Sequence, residues 1–237
     1  ILIVVCVATY NGAKFIRQQI DSILASSLVT RVIVSDDGSE DETVEIVRSI
    51  NDGRLFLTKG PGQGLIKNFE FLLQQVNEEY VYLSDQDDVW DAAKVQIILE
   101  RLQSVDLVVS DCVVVDEKLS AIYPSFFDLR NSGPGFVKNI YKNRYLGCCM
   151  AFRSEVLKYV LPFPDNLPMH DWWIGLSVDM LGRVEFINEK LVLYRRHGKN
   201  VSSTAEPSNH SWRFRIKWRI WLVYLLVKLK VESLYKS

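Results

Sequence analysis

Three carboxylates, Asp85, Asp87 and Asp88, fall within four residues directly after the apolar run Tyr80-Val81-Tyr82-Leu83. Like charges that close repel one another unless a cation or hydrogen-bond donors share them. Hard oxygen ligands suit Mg²⁺ or Mn²⁺, which use one or two carboxylates and draw their other ligands from water and substrate phosphate. A solvated acidic turn would account for an isolated triplet just as well. What favours chemistry is the company the triplet keeps. Thr9-Tyr10-Asn11-Gly12, Asp36-Asp37-Gly38-Ser39, Met169-His170-Asp171-Trp172-Trp173 and Tyr194-Arg195-Arg196-His197-Gly198-Lys199-Asn200 each follow or flank an apolar run. Singly, each has a structural explanation: a turn and helix cap, a hydrogen-bonded structural histidine, or Asp171 as an N-cap.

The elements that would position these residues alternate. Ile1–Ala8 reads as a buried strand, and Ile16, Ile20, Ile23 and Leu24 mark one helical face. Val32–Val34, Leu55–Thr58 and Tyr80–Leu83 read as further strands, with a helix over Leu65–Val76. Ser39-Glu40-Asp41-Glu42 predicts a capping box for a helix reaching about Ile50. Val95, Ile98, Leu99 and Leu102 give another helix, and Val105–Val115 more strand. This alternation predicts an α/β domain, a mostly parallel central sheet with helices on both faces. Ligands of such sheets bind at the carboxyl ends of the strands, where the acids fall. From about residue 118, prolines and Gly133-Pro134-Gly135 punctuate longer loops suited to an acceptor-binding region.

Composition narrows the class. The 237 residues are 48% hydrophobic, ample for a core, and carry a net charge of −1, which gives no global pull toward nucleic acid. Cys6, Cys112, Cys148 and Cys149 have no metal-ligand spacing, and a reducing cytoplasm is expected. Ile1–Ala8 reads as a first strand rather than a secretory signal, and Trp221–Val227 is too short an apolar run to cross a membrane. Trp212–Ile220 alternates basic with aromatic or aliphatic residues, a pattern open to helix or strand. It suits either a peripheral contact with an anionic membrane surface or packing on the domain or a second subunit.

The order TYNG, DDGS, DQDD, HDWW and YRRHGKN resembles the family 2 glycosyltransferases, which have the GT-A fold. Ser84–Trp90 and His170–Trp173 are similar to its rhamnosyltransferase-like bacterial branch. The resemblance covers roughly residues 1–202. It implies a GT-A domain over 1–205, with a Rossmann-like nucleotide-sugar half (1–115) and an acceptor-binding and catalytic half (116–205). Residues 206–237 are then a basic aromatic appendage. Thr9, Tyr10, Asn11, Asp36, Asp37 and Asn68 would face the nucleotide of a sugar donor, with Asp85 toward the ribose. Asp87, with Asp88 and His197, would hold Mg²⁺ or Mn²⁺, while Arg195, Arg196 and Lys199 neutralise phosphates. Asp171 matches the family's catalytic aspartate, a general base in a single inverting displacement. Trp172 and Trp173 would supply it with an apolar setting.

The branch resemblance implies dTDP-rhamnose as donor, with UDP-hexose or UDP-N-acetylhexosamine next. A lipid-linked saccharide of bacterial cell-surface polysaccharide (O-antigen, lipopolysaccharide or capsule) is the implied acceptor, met at the cytoplasmic face of the inner membrane. His170-Asp171 departs from the Glu-Asp of many members but keeps the aspartate. The processive synthases' Gln-X-X-Arg-Trp is absent, so one transfer per encounter is expected. Rival readings are weaker. Gly60-Pro61-Gly62-Gln63-Gly64 lacks the third glycine of a dinucleotide fingerprint, since Leu65 and Lys67 occupy the required places. A nucleotidyltransferase would need a glycine-rich basic loop where Thr9-Tyr10-Asn11-Gly12 stands. A decayed copy serving as a scaffold would be expected to have lost some of these acids.

Overall fold

Every residue of β1 (Ile3–Thr9) is buried, which requires a strand covered on both faces. The computed structural model describes residues 1–198 and 212–235, the backbone alone for 212–215 and 235. After β1 come α1 (Ile16–Leu24), β2 (Arg31–Asp36), α2 (Thr43–Arg48), β3 (Leu55–Lys59), α3 (Leu65–Leu73) and β4 (Tyr80–Ser84). Then come β5 (Val89–Trp90), α4 (Lys94–Leu102), β6 (Leu107–Val115), β7 (Ala121–Tyr123), α5 (Phe126–Arg130) and α6 (Phe136–Tyr141). The described chain ends with β8 (Met150–Arg153), α7 (Leu157–Val160), α8 (His170–Leu181), β9 (Val184–Arg195) and α9 (Trp212–Tyr235).

One sheet runs β3-β2-β1-β4-β8-β6-β9-β5, with β7 paired to β6. The α/β class is as expected. Parallel pairing joins β3, β2, β1 and β4, and again β6 and β9, while β8 is antiparallel to both its neighbours. The strand register gathers the polar loops. Thr9 lies opposite Asp36, and Val7 opposite Ser84, so the three polar loops leave the sheet side by side at one edge. β9 pairs with both β5 and β6, carrying Arg195 to the same end.

One local expectation is corrected, and one open choice is resolved. The capping box does not form: the Ser39 hydroxyl donates to Asp36 and accepts from the Asn11 N–H, so α2 begins only at Thr43. Tertiary ties between loops outcompeted a local signature. The tail is helix, not strand. Leu222 and Leu226 of α9 are buried and Arg219 Nε donates to the Tyr141 carbonyl at 2.8 Å, docking α9 near α6 and α8. The expected start of the appendage at 206 lies outside the described residues. No helix among the described residues is long and apolar enough to cross a membrane.

α8 packs tightly enough to exclude a methyl group. A Cβ at Gly175 would stand 2.5 Å from the Tyr145 ring, which is itself fully buried. Gly175→Ala is therefore expected to cost about 1–3 kcal/mol despite alanine's better helix propensity. Urea unfolding measures it, and an unchanged or raised midpoint would show that the Tyr145 ring yields at no cost.

Candidate active site

Gln86, the spacer residue between Asp85 and Asp87, staples the first loop to the acids. Its Oε1 accepts from Thr9 Oγ1 at 2.6 Å and from the Tyr10 N–H at 2.9 Å, while its Nε2 donates to the Tyr10 carbonyl at 3.1 Å. Gly12 permits this approach, since a Cβ there would meet Gln86 Oε1 at 2.4 Å. Asn11 sits at φ 50°, with its Oδ1 accepting from the Glu40 N–H at 2.8 Å. Asp36 accepts from the N–H groups of Gly38 and Ser39, and Asp37 from those of Gly62 and Gly64. The DDGS acids thus brace two loops around the edge where the Tyr10 ring stands exposed.

Asn68 departs from expectation. It is buried, donating to the Ser35 carbonyl at 2.9 Å and accepting from the Ser35 hydroxyl at 2.5 Å, so it is a strut between α3 and β2 with no face toward a ligand.

Asp87 Oδ2 and His197 Nε2 meet at 2.7 Å, joining residues 110 positions apart. Arg195 makes that meeting possible, in a role its sequence position did not suggest. It is 2% exposed, and its N–H donates to Asp88 Oδ1 while Nε donates to the Asp87 carbonyl at 2.7 Å. Nη1 reaches the Glu117 carbonyl, Nη2 reaches Gln18 Oε1, and the guanidinium lies 4.4 Å from the centroid of the Phe15 ring. The expected phosphate contact is therefore corrected: this arginine is committed to the protein, and its charge bears on Asp87 and Asp88 through space. Arg196 is half-buried, with its N–H on the Val115 carbonyl. Lys199 lies outside the described residues.

Beneath this pair, Asp85, Asp88 and Cys148 bring one ligand atom each within 4.8 Å of one another. Burial, then the charge of Asp87, raises both Asp85 and Asp88 well above the ordinary carboxylate range. Asp88 is fully buried, and its Oδ2 has no hydrogen-bond partner among the described residues. Lys94, invisible to the sequence reading as one charge on an apolar helix face, is a buried cation here. Its Nζ donates to the Cys148 carbonyl at 2.7 Å and lies 3.7 Å from the Trp90 ring centroid.

Crowded carboxylates held above their usual range are what a divalent cation would relieve. The thiol of Cys148 is a soft ligand that suits Mg²⁺ or Mn²⁺ poorly, whereas the Asp87 carboxylate suits both and the His197 imidazole beside it favours Mn²⁺ over the harder Mg²⁺. The residues present thus accommodate a hard cation at the Asp87–His197 pair, with Asp88 lying in the group below it.

Asp171 stands in the first turn of α8, 5% exposed. It is not the cap, since Met169 occupies that position. Its oxygens accept from Asn143 Nδ2 at 3.0 Å and from the Gly147 N–H at 3.2 Å, and burial pushes its carboxyl up to about 6. Gly147, which donates to Asp171, is followed by Cys148, whose ligand atom lies within 4.8 Å of those of Asp85 and Asp88, so the two acidic clusters flank the same short segment. Trp172 and Trp173 anchor α8, their indole N–H groups donating to the carbonyls of Asn139 and Val160. His170 is buried and stacked on Phe69 at 4.0 Å, and burial holds it down to about 3, hence neutral. Gln86, Lys94 and Asn143 were missed because their roles depend on partners distant in sequence.

Known proteins share this sequence family and this fold. The sequence model of Glycosyl transferase family 2 matches residues 4–161. The dTDP-rhamnosyl transferase RfbG of Shigella flexneri is 28% identical over 227 residues, covering 84% of this chain and 76% of its own. An uncharacterized glycosyltransferase of Rickettsia typhi is 26% identical over 213 residues, covering 86% and 67%. Among solved structures, residues 1–349 of S. aureus TarS in complex with UDP-GlcNAc superpose with a TM-score of 0.71 at 20% identity, over 94% of this chain and 66% of that one. The mannosyltransferase PcManGT of Pyrobaculum calidifontis, in complex with GDP-Man and Mn²⁺, gives 0.61 at 22% identity, over 92% and 61%. The chain thus spans about two thirds of the length of these relatives.

Proposed function

Because the chain belongs to glycosyl transferase family 2, we propose that it transfers a sugar from a nucleotide-sugar donor to an acceptor hydroxyl with inversion at the anomeric carbon. The observation that carries this reading is the bridge from Asp171 to the DQDD acids: Gly147 donates to Asp171 at 3.2 Å, and the ligand atom of its neighbour Cys148 lies within 4.8 Å of those of Asp85 and Asp88, with Asp87 paired to His197 at 2.7 Å. Residues 1–115 serve as the nucleotide-sugar half and 116–205 as the acceptor half, and the helical tail touches the cytoplasmic membrane surface. Tyr10, Asn11 and the Asp36–Asp37 loop hold the base and ribose, with Asp85 beside them.

Asp87 and His197 hold Mg²⁺ or Mn²⁺, which when bound withdraws charge from the leaving diphosphate. Asp171 takes the proton of the acceptor hydroxyl as the new C–O bond forms and the bond to the diphosphate breaks. The buried setting of Asp171 makes it a stronger base than an exposed aspartate. No side chain needs to act as nucleophile in a single displacement. Arg195 holds the peptide of Asp87 in place throughout.

The donor we favour is dTDP-rhamnose, supported by the HDWW and DQDD motifs and by the likeness to RfbG. UDP-sugars come second, supported by the TarS complex with UDP-GlcNAc. The acceptor is a lipid-linked saccharide of a bacterial surface polysaccharide. Calorimetric titration of dTDP-rhamnose, UDP-glucose, UDP-galactose and UDP-N-acetylglucosamine, with and without Mn²⁺, tests the reading. Metal-dependent binding of one donor is the expected result. A folded protein that binds none of them would instead be a scaffold of this fold.

A further inference from the structure

The segment from Arg130 to Arg144 leads from the end of α5 back to the Asp171 carboxylate, which Asn143 reaches at 3.0 Å. Arg130, Lys142 and Arg144 lie on it, and among the described residues none of the three joins an ion pair. Arg130 Nε, Arg144 Nε and the Ser132 hydroxyl are buried atoms with no hydrogen-bond partner among the described residues. A buried donor left unmade costs about 1–3 kcal/mol, more when it belongs to a charged group. The cations also gather rather than spread. Lys142 is held below its ordinary range by partial desolvation of its mostly exposed side chain and then by Arg130 and Arg144, and Arg196 adds its charge beside Arg130. The whole chain has net charge −1, so carboxylates were available to pair these groups.

Unpaired donors and like charges gathered in one place suit an anion that arrives from outside. Planar guanidinium forks match phosphate oxygens in particular. We propose that Arg130, Lys142 and Arg144 form an anion subsite that holds a phosphate or diphosphate group carried by the acceptor. Asn143, between two of these cations, ties the subsite to Asp171. The acceptor's hydroxyl and its charged group would then be read by one continuous stretch of chain. Val137 and Tyr141, 77% and 66% exposed on the helix between Arg130 and Lys142, offer apolar surface beside it. The link to an acceptor rests on the transferase reading; the binding of phosphate does not.

The probe is inorganic pyrophosphate, titrated calorimetrically in EDTA so that no divalent cation can hold it at Asp87 and His197. Wild type should bind it, with affinity falling about tenfold for each cation removed in Lys142→Gln and Lys142→Gln/Arg144→Gln. Lys142 is exposed, so the single variant still decides if the double one misfolds. Mn²⁺-dependent donor binding should stay within about twofold of wild type, because the donor end is built by other loops. Sedimentation with phosphatidylglycerol and phosphatidylcholine vesicles separates the sources. Binding to the anionic vesicles that pyrophosphate displaces assigns the phosphate to a lipid headgroup, and pyrophosphate binding without it assigns a water-soluble phosphorylated acceptor. No pyrophosphate binding, or binding equal in the variants, overturns the proposal. Failure of every donor to bind would overturn the transferase reading and leave the pyrophosphate titration standing.

Discussion

Asp171→Asn should reduce sugar transfer about 10²–10⁴-fold while leaving donor affinity near wild type, because the change removes a base and not a nucleotide contact. The amide keeps the carboxylate's size, and its oxygen can still accept from Asn143, whose Nδ2 lies at 3.0 Å. What it cannot do is take a proton. Transfer by the wild type should in turn follow the ionisation of this carboxyl, which burial pushes up to about 6. Activity should fall about tenfold per unit below that pH and level off above about 7. The stability consequence has the opposite sense. The folded carboxyl sits above its ordinary 3.8, so between those values the native state holds a proton that the unfolded chain has released. Stability therefore drops as pH rises through that window, by up to about 3 kcal/mol. Asp171→Asn escapes that loss but turns its amide N–H toward the Gly147 N–H, which Asp171 Oδ2 now accepts at 3.2 Å, a mismatch of about 1–3 kcal/mol, so at pH 7 the two effects should nearly cancel. Measured transfer rates across pH for both proteins decide the matter. A variant with full activity, or a wild-type profile flat from pH 5 to 8, would remove Asp171 from the role of base.

Legibility in the sequence depended on how local each interaction is. The strands announced themselves as apolar runs, and the acids after β4 were found because a strand end is a local pattern. Gln86, Lys94 and Asn143 were not, since their partners lie 76, 54 and 28 residues away. Arg195 and Asn68 were singled out by residue type, but type alone does not say whether a polar head turns outward or inward. Burial of Arg195 depends on Gln18, Glu117 and Phe15 converging from distant segments. The capping box failed for the same reason, with Ser39 drawn to Asn11 and Asp36. The tail's alternation fitted helix and strand alike, and contact with α6 and α8, absent from any local window, accompanies the helix.

Asp87→Ala should abolish the divalent-cation dependence of donor binding and lower kcat/KM about a thousandfold, the loss of roughly 4 kcal/mol of charge stabilisation. The fold should survive it. Arg195 holds the Asp87 peptide through the backbone carbonyl at 2.7 Å, a bond the alanine retains. Asp88 differs: its carboxylate takes the Arg195 N–H at 2.9 Å from full burial, so Asp88→Ala strips a partner from the interior. Arg195→Ala should be worse, leaving unmade the acceptors it now serves and costing about 3–5 kcal/mol. His197→Ala should resemble Asp87→Ala in its metal dependence. Combining the two should cost little more than either alone, because ligands of one ion act as a unit. Donor calorimetry in Mn²⁺, with thermal unfolding alongside, separates these outcomes. If Asp87→Ala retained Mn²⁺-dependent donor binding, the cation would have to be moved to Asp85, Asp88 and Cys148. That set supplies a soft thiol, so the protein should then prefer Zn²⁺ or Cd²⁺ over Mn²⁺ in the same titration.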